Sequence, residues 1–332
     1  MMESDYMSRR ISIVCTMIIC AFISAASGCS RASNSTLVPH PGVAGNREAP
    51  QSLGEWTNKA PLLKPQIALA AGVINGILYA AGGLSHVGPV STVEAYDPET
   101  NAWTIKRSMP TARWGPAAGV INSNLYVVGG SDDVNSLNTV EAYNPATDTW
   151  TTKASMPTAR YAPAAGVVNG ILYVVGGDGI NHTLNTLEAY DSATDTWTAK
   201  TSMPTARYLL AASVLGRRLY AVGGYNGSDT NNKVEAYDPA TDTWATKASM
   251  HKAREGLATR VVGGRLYAVG GWNSGALQRV EAYNPATNTW TAKTNMPTGR
   301  AGLATGVVGR TLYAVGGYNN GVILNTVEAY TP

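Results

Sequence analysis

The charged side chains best suited to acid–base chemistry recur along this chain at a nearly constant interval instead of gathering in one place. A glutamate opens each Glu-Ala-Tyr tripeptide, and an arginine stands four residues after a methionine in five copies. An enzyme needs one set of acid and base, so groups present in every copy are better explained as scaffold, paired within or between repeats. These residues are Glu94, Glu141, Glu188, Glu235, Glu281 and Glu328, with Arg113, Arg160, Arg207, Arg254 and Arg300.

Motifs for nucleophilic, metal or cofactor chemistry are missing from the sequence. There is no Gly-x-Ser-x-Gly, and no cysteine lies beyond residue 29. His86, His182 and His251 lack metal-ligand spacing, which indicates solvated loop residues. The repeated Asp-x-Ala-Thr-Asp-Thr lacks the spacing of a calcium loop and is typical of turns. We therefore expect no metal and no cofactor.

Three other signals recur at the same interval as the charged residues. Pairs of adjacent glycines start 47, 47, 47, 47 and 46 residues apart, and a tryptophan and the tyrosine of Glu-Ala-Tyr recur at the same interval. Self-similarity at this period indicates stacked or radially arranged copies of one supersecondary unit. The glycine pairs start at Gly82, Gly129, Gly176, Gly223, Gly270 and Gly316, and the tryptophans are Trp56, Trp103, Trp150, Trp197, Trp244 and Trp290.

Each copy is predicted to form four short strands joined by tight turns. In the third copy, two apolar runs flank Asn169-Gly170, a strong hairpin signal because both turn positions need a positive φ. The first strand is rich in alanine and glycine and carries Pro116 or Pro163 in two copies, which favours an innermost edge strand. A lysine three residues after each tryptophan protects the outermost edge from pairing with other chains.

The order of the signals predicts a closed ring. Trp56 precedes the first glycine pair, whereas the last copy ends at Tyr330 with no tryptophan after it. We expect the N-terminal segment to supply the outer strand of the last unit. The predicted fold is all-β: a six-bladed β-propeller of four-stranded antiparallel blades over residues 53–332, closed by the N-terminal strand that completes the last blade.

The succession Gly-Gly, Glu-Ala-Tyr-(Asp/Asn)-Pro, Trp and Met-Pro-Thr-Ala-Arg resembles the kelch repeat over about residues 53–330. The resemblance implies a binding platform, because kelch propellers usually bind partners and a minority are enzymes. Galactose oxidase-like members need copper ligands and a cysteine crosslinked to tyrosine, which the cysteine positions exclude here. A bacterial group of six-bladed kelch-type sialic acid mutarotases is the alternative.

The N-terminal 28 residues are predicted to be a lipoprotein-type signal peptide. A basic pair, Arg9-Arg10, precedes a short apolar run and small residues before Cys29. We expect a lipid anchor at Cys29, a flexible tether over residues 29–52, and a cell-envelope location facing the periplasm or the cell surface. A plain signal peptide cleaved nearby is the alternative.

Composition limits the partners of the chain. Charged residues make up 14% of the sequence and the net charge is +3, too weak and too dispersed for nucleic-acid binding. The propeller has ample core without disulfides, and we expect it to be monomeric.

Positions that differ between copies carry the functional information. The loop after Gly-Gly and the loop with Met-Pro-Thr-Ala-Arg are expected to open on one face, where binding residues concentrate. Aromatic residues mixed with Asn and Asp suit sugars and peptides alike, and packing between neighbouring loops is the alternative role of the aromatics. The candidate ligand-binding residues are Trp114, Asp132, Tyr161, Asp178, Tyr208, Tyr225, Glu255, Trp272 and Tyr318.

Two functions follow from this face, alongside a purely structural envelope role. The first is a cell-envelope module that binds a protein, a peptide or a glycan. The second is a sugar-processing enzyme of the mutarotase type, with Glu255 in the proton transfer. The equivalents of Glu255 in the other copies are uncharged, and an acid among aromatics can have a raised pKa, whereas a solvated loop carboxylate is the alternative. The near identity of the copies favours binding over catalysis.

Overall fold

The computed structural model describes residues 54–332, and every regular element in this range is a β-strand. Six four-stranded antiparallel sheets and two small hairpins account for all the strands of the described range. This arrangement confirms the predicted six-bladed propeller.

The strands follow one another in chain order with little variation in length. The first is β1 (Trp56–Lys59). Blade 1 has β2 (Ala70–Ile74), β3 (Ile77–Ala81), β6 (Val93–Asp97) and β7 (Ala102–Lys106), with the small hairpin β4 (Leu84–Ser85) and β5 (Gly88–Pro89) between them. Blade 2 has β8 (Ala117–Ile121), β9 (Asn124–Val128), β10 (Val140–Asn144) and β11 (Thr149–Lys153). Blade 3 has β12 (Ala164–Val168), β13 (Ile171–Val175), β14 (Leu187–Asp191) and β15 (Thr196–Lys200).

The remaining blades repeat this order. Blade 4 has β16 (Ala211–Leu215), β17 (Arg218–Val222), β18 (Val234–Asp238) and β19 (Thr243–Lys247). Blade 5 has β20 (Ala258–Val262), β21 (Arg265–Val269), β22 (Val280–Asn284) and β23 (Thr289–Lys293). Blade 6 has β24 (Ala304–Val308), β25 (Thr311–Val315) and β28 (Val327–Tyr330), with β26 (Tyr318–Asn319) and β27 (Val322–Ile323) as a small hairpin and β1 as its fourth strand.

The first strand of each blade lies innermost and the lysine-bearing strand lies outermost. The first strands contact each other around the ring and so border a central channel. Pro116 and Pro163 lie directly before β8 and β12 rather than within them, so their missing N–H groups cost no ladder hydrogen bond.

Glycine on the innermost strand is required by the packing of the next blade. A Cβ on Gly119 would lie 2.5 Å from Cδ1 of Leu172 and 2.8 Å from Cγ2 of Val167. Both neighbours belong to blade 3, so the small residue lets consecutive inner strands approach closely. The same contacts recur at Gly72, Gly166 and Gly306.

The turns follow the chemistry expected from the sequence. Asn169 and Gly170 have φ values of 50° and 80°, so both accept the left-handed conformation of the hairpin turn. Oδ1 of Asp191 accepts the N–H of Ala193 at 2.9 Å. This Asx turn forms even though Ser192 stands where other copies have proline.

Aromatic residues fill the space between blades. The ring of Tyr190 lies 5.1 Å from Trp197 in its own blade and 5.8 Å from Tyr126 in the preceding blade. Nε1 of Trp197 donates to the carbonyl of Ala154 at 2.8 Å, just past the outer strand of blade 2. Repetition of these contacts forms one apolar cluster at each junction between blades.

The ring closes where the sequence predicts. Strand β1 pairs antiparallel with β28, which brings Trp56 opposite Tyr330. Their rings stack with centroids 5.0 Å apart, and Nε1 of Trp56 donates to the carbonyl of Thr294 at 3.0 Å. The N-terminal strand therefore completes the last blade without covalent continuity to it.

Candidate functional site

Five arginines at the entrances of blades 2 to 6 form buried ion pairs with the glutamates of the third strands. Nη2 of Arg160 lies 2.9 Å from Oε2 of Glu188, and both side chains are buried. Nη1 of Arg160 also donates to the carbonyls of Gly176 and Thr186 at 2.9 and 3.2 Å. The arginine thus ties the glycine pair to the third strand, a scaffold role. The five pairs are Arg113–Glu141, Arg160–Glu188, Arg207–Glu235, Arg254–Glu281 and Arg300–Glu328.

Blade 1 departs from this pattern because Gln66 stands in the arginine position. Glu94 instead accepts the N–H of Leu63 at 2.8 Å, and burial raises the pKa of this carboxyl. Nε2 of Gln66 donates to Oγ1 of Thr92 at 2.7 Å. Backbone and amide groups therefore replace the guanidinium in this one blade.

Blade 5 also departs from this pattern, because three basic side chains contact its buried glutamate. Glu281 lies 2.9 Å from Nη2 of Arg254, 2.6 Å from Nε of Arg279 and 3.3 Å from Nδ1 of His251. In four of the other blades a threonine donates to this carboxylate oxygen, but Lys252 occupies the threonine position here. The three cations Lys252, Arg254 and Arg279 thus outnumber the one carboxylate, Glu281, that contacts the two arginines.

The two loop sets meet on one face of the ring, which we call the loop face. The N–H of Tyr161 donates to the carbonyl of Asp178 at 2.9 Å, and the N–H of Asp178 donates back at 2.7 Å. Every blade repeats this bridge between the residue after the arginine position and the residue after the glycine pair, which extends the pairing of its first two strands. The six bridges are Ile67–Leu84, Trp114–Ser131, Tyr161–Asp178, Tyr208–Tyr225, Glu255–Trp272 and Ala301–Tyr318.

A closed circle of backbone hydrogen bonds surrounds the axis at the loop face. Each member donates its N–H to the carbonyl of the equivalent residue in the preceding blade, at 2.7 to 3.2 Å, and all six φ values lie between 48° and 62°. We call this circle the axial ring; its members are Ala68, Gly115, Ala162, Leu209, Gly256 and Gly302. Hydrogen-bonded backbones stand about 5 Å apart, so the axial ring constricts the channel mouth. A ligand on this face therefore meets the rim and the grooves between blades.

The aromatic candidates around the axial ring divide into buried and accessible side chains. Tyr208 and Tyr318 are only 5% and 2% exposed, so inter-loop packing accounts for them. The half-buried residues keep part of their surface accessible. They are Trp114, Tyr161, Tyr225 and Trp272, and the ring contacts are Trp114–Tyr161 at 4.4 Å, Tyr208–Tyr225 at 5.6 Å and Trp272–Tyr318 at 6.1 Å.

Glu255 is buried beside these aromatics, not solvated. Its side chain is 8% exposed, and its backbone bridges to Trp272. Burial raises the pKa of Glu255 to about 7. Burial also raises the pKa of Tyr225, and the negative charge of Glu255 adds to that rise. A carboxyl group in this state can exchange a proton near neutral pH.

The two candidate aspartates organise loops. Asp132 is exposed, and its Oδ1 accepts the N–H groups of Val134 and Asn135 at 3.0 and 2.6 Å. Asp178 is half-buried, and its carbonyl accepts the hydroxyl of Ser136 at 3.2 Å. Asp132 thus caps its own turn, whereas Asp178 links neighbouring loops.

A groove of about 490 Å³ opens between blades 5 and 6 on the loop face. Sequence reasoning missed it, because its two cations, Lys252 and Arg279, are 27 positions apart in the chain. The sequence does carry a signal, because Lys252 and Arg279 each stand at a position where four of the six copies have threonine. We call this cavity the blade 5–6 groove. It is lined by Lys252, Ala276, Leu277, Gln278, Arg279, Asn295, Gly299, Asn319 and Asn320.

The shortened loop of blade 5 forms one wall of the blade 5–6 groove. Trp272 bridges to Ala276, four residues on, whereas Tyr225 bridges to Thr230, five residues on. A Cβ on Gly299 would lie 2.9 Å from the carbonyl of Ala276, although four other copies have alanine at the position of Gly299. The one-residue deletion in the blade 5 loop therefore requires glycine at position 299, because a larger residue there would collide with the shortened loop.

Other kinds of site have no support in residues 54–332. No cluster of three or more His, Cys, Asp or Glu residues there is arranged to hold a metal ion. No helix in the described range has the length and apolar character needed to cross a membrane. The expected lipid attachment at Cys29, the signal peptide and the tether lie outside the described residues.

Comparison with known proteins gives matches over most of the propeller. The model described as "KLHDC2/KLHL20/DRC7 Kelch-repeats domain" matches residues 151–317, and the Kelch motif matches residues 68–110 and 112–157. A search of curated proteins found no match. The solved structure titled "Structure of YjhT" is 17% identical with a TM-score of 0.72, over 80% of this chain and 95% of that one. This structural likeness shows a shared fold.

Proposed function

Because the chain belongs to the kelch-repeat family, we propose that it is a binding module whose blade 5–6 groove holds an acidic oligosaccharide. The observation that carries this proposal is the groove itself. It is a cavity on the loop face at which blade 5 combines a one-residue deletion with basic residues at two positions where four copies have threonine.

The charge of the blade 5–6 groove favours an anionic ligand. Lys252 and Arg279 line it, and no carboxylate is among the lining residues. Glu281 lies beneath the groove, is fully buried and already contacts Arg254 and Arg279. The cations at the surface therefore exceed the negative charge nearby, and they attract an acidic group from solution.

The remaining lining groups favour a sugar over a peptide. Gln278, Asn295, Asn319 and Asn320 supply amide donors and acceptors that suit hydroxyl groups. An acidic peptide would be anchored by aromatic or large apolar pockets, and Leu277 is the one large apolar residue in the lining. The half-buried Trp272 bridges to Ala276 of the groove lining and offers a face for a sugar ring beside the groove.

The test restores the residues of the other blades. Lys252→Thr and Arg279→Thr each install the side chain that most copies carry, so both variants are expected to fold. Binding to uronic acid-containing oligosaccharides, measured by calorimetry, should weaken at least tenfold in each variant. Lys64→Thr removes an exposed lysine from another part of the ring and should leave affinity unchanged.

Other outcomes would contradict the proposal. Equal affinity for neutral and acidic oligosaccharides would remove the role of the cations. Binding of acidic peptides, with none of the sugars, would assign the groove to a peptide partner. Wild-type affinity in both threonine variants would exclude this groove as the site.

A second function, a sugar-processing enzyme, is favoured by Glu255. Its pKa of about 7 suits a general acid or base, and Tyr225 and Trp272 lie beside it. If this function holds, the protein accelerates sugar anomerisation and Glu255→Gln slows it at least tenfold by NMR. No acceleration by the wild-type protein would exclude it.

We also propose that the protein acts at the cell envelope, anchored through a lipid on Cys29. This proposal rests on the N-terminal sequence. Metabolic labelling with a fatty acid should tag the wild-type protein and fail to tag Cys29→Ser. Labelling of neither protein would leave a plain cleaved signal peptide as the explanation.

A further inference from the structure

Arg260 is a cation inside the ring of inner strands. It lies in the middle of β20, at the position where four other inner strands have glycine and β16 has Ser213. Its Nη2 donates to the carbonyl of Ala71 at 3.0 Å, and its Nη1 donates to the carbonyl of Thr259 at 3.2 Å. Ala71 belongs to blade 1, two blades further round, so the guanidinium extends across the central channel.

The contacts of Arg260 differ from those of the five arginines at the blade entrances. Each of those contacts a glutamate, whereas Arg260 contacts only backbone carbonyls among residues 54–332. Burial lowers the pKa of Arg260 to about 10, so the group still carries its proton at neutral pH. The side chain of Arg260 is half-buried, a partly desolvated charge without a counter-ion is costly, and two carbonyls use two of its five N–H donors.

Hydroxyl groups gather next to this cation on the adjoining inner strands. Oγ of Ser213 and Oγ1 of Thr259 lie 2.9 Å apart, and Oγ1 of Thr305 donates to the carbonyl of Thr259 at 3.2 Å. Blades 1 to 3 have alanine at the positions of Thr259 and Thr305. Hydroxyl side chains are thus concentrated, buried, on the inner strands of blades 4 to 6, the part of the ring to which Arg260 belongs.

We propose that Arg260 binds a small carboxylate inside the central channel. The planar fork of the guanidinium matches the two oxygens of a carboxylate. The axial ring constricts the channel at the loop face, so the ligand enters from the opposite end, past hairpin turns such as Gly263-Gly264. This site is separate from the blade 5–6 groove and does not depend on it.

Thermal unfolding in sodium acetate, with sodium chloride at equal ionic strength as reference, tests the proposal. Acetate should raise Tm saturably, by about 5 °C at a hundred times Kd. Arg260→Gly installs the residue of four other blades, so it should fold and lose the response. Arg310→Ala removes an exposed arginine from a hairpin turn, with the same change in net charge, and should keep the response.

A second variant keeps the proposal testable if Arg260→Gly does not fold. Arg260→Lys keeps the charge without the fork and should weaken acetate binding at least tenfold, as measured by NMR line broadening of labelled acetate. An acetate response that survives in Arg260→Gly would overturn the proposal. So would an equal response to chloride, because it would show a general salt effect, or the absence of any response in the wild-type protein.

Discussion

Glu188 and Arg160 show how a charge that is buried away from water is compensated in blades 2 to 6. Their ion pair is buried and the arginine also holds two carbonyls, so loss of either partner leaves an unpaired polar group. Glu188→Gln should lower the free energy of unfolding by about 3 kcal/mol, measured by urea denaturation. Glu99→Gln changes an exposed glutamate and serves as the control. Unchanged stability with lost ligand binding would overturn the scaffold assignment.

Glu255 is the residue at which stability should depend most clearly on pH. Its pKa rises from 4.5 to about 7 on burial, so the folded protein holds this proton more tightly than the unfolded chain. Stability from this group is fully present below pH 4.5 and is lost as pH rises to about 7. Glu255→Gln cannot titrate, and it should be more stable than wild type by about 3 kcal/mol above pH 7.

Tm measured from pH 4.5 to pH 8 checks this expectation. The difference between Glu255→Gln and wild type should grow with pH and then level off. A constant difference would mean that the carboxyl is ionised throughout, with an ordinary pKa.

At the scale of the element, the glycine pairs connect one blade to the next. Gly176 has a φ of 64°, and a Cβ there would lie 2.4 Å from the carbonyl of Arg207. Gly170, in the hairpin turn, has a φ of 80° but no atom within 4 Å of its added Cβ. Both substitutions to alanine strain the backbone, so their difference isolates the contact with the next blade.

Gly176→Ala should therefore cost about 2–4 kcal/mol, against about 1 kcal/mol for Gly170→Ala. Urea denaturation of the two variants measures the difference. Equal losses would mean that the φ requirement alone explains the glycine pair, and that the contact between blades relaxes without cost.

Elements were predictable from the sequence where a local rule governs them. Asn169-Gly170 specifies its turn by backbone conformation, and the six-fold spacing specifies the number of blades. The axial ring had no such signal, because Ala162 and Leu209 adopt the left-handed conformation only through hydrogen bonds to neighbouring blades. The blade 5–6 groove likewise depends on the distance between two loops, which local sequence does not encode.

At the scale of the whole molecule, stability depends on blade 6, the one blade whose four strands are not covalently continuous. Trp56 and Trp150 occupy equivalent outer strands, each with a tyrosine ring about 5 Å away and an Nε1–H donated to a carbonyl of the preceding junction. The chain joins strand β11 to β10 in its own blade and to β12 in blade 3, whereas β1 is held in blade 6 by noncovalent contacts alone.

Trp56→Ala should therefore lower Tm more than Trp150→Ala, because loss of β1 opens the ring and leaves β28 with an unpaired edge. Hydrogen exchange locates the effect: amides of Val327–Tyr330 should lose protection in Trp56→Ala, while those of Val140–Asn144 should stay protected in Trp150→Ala. If both variants lose the same stability and the same protection, closure by the N-terminal strand adds nothing beyond the contacts of a single tryptophan. A larger loss of Tm in Trp56→Ala would show that the blades depend on the closed ring for their stability. The groove between blades 5 and 6 would then depend on the closed ring as well.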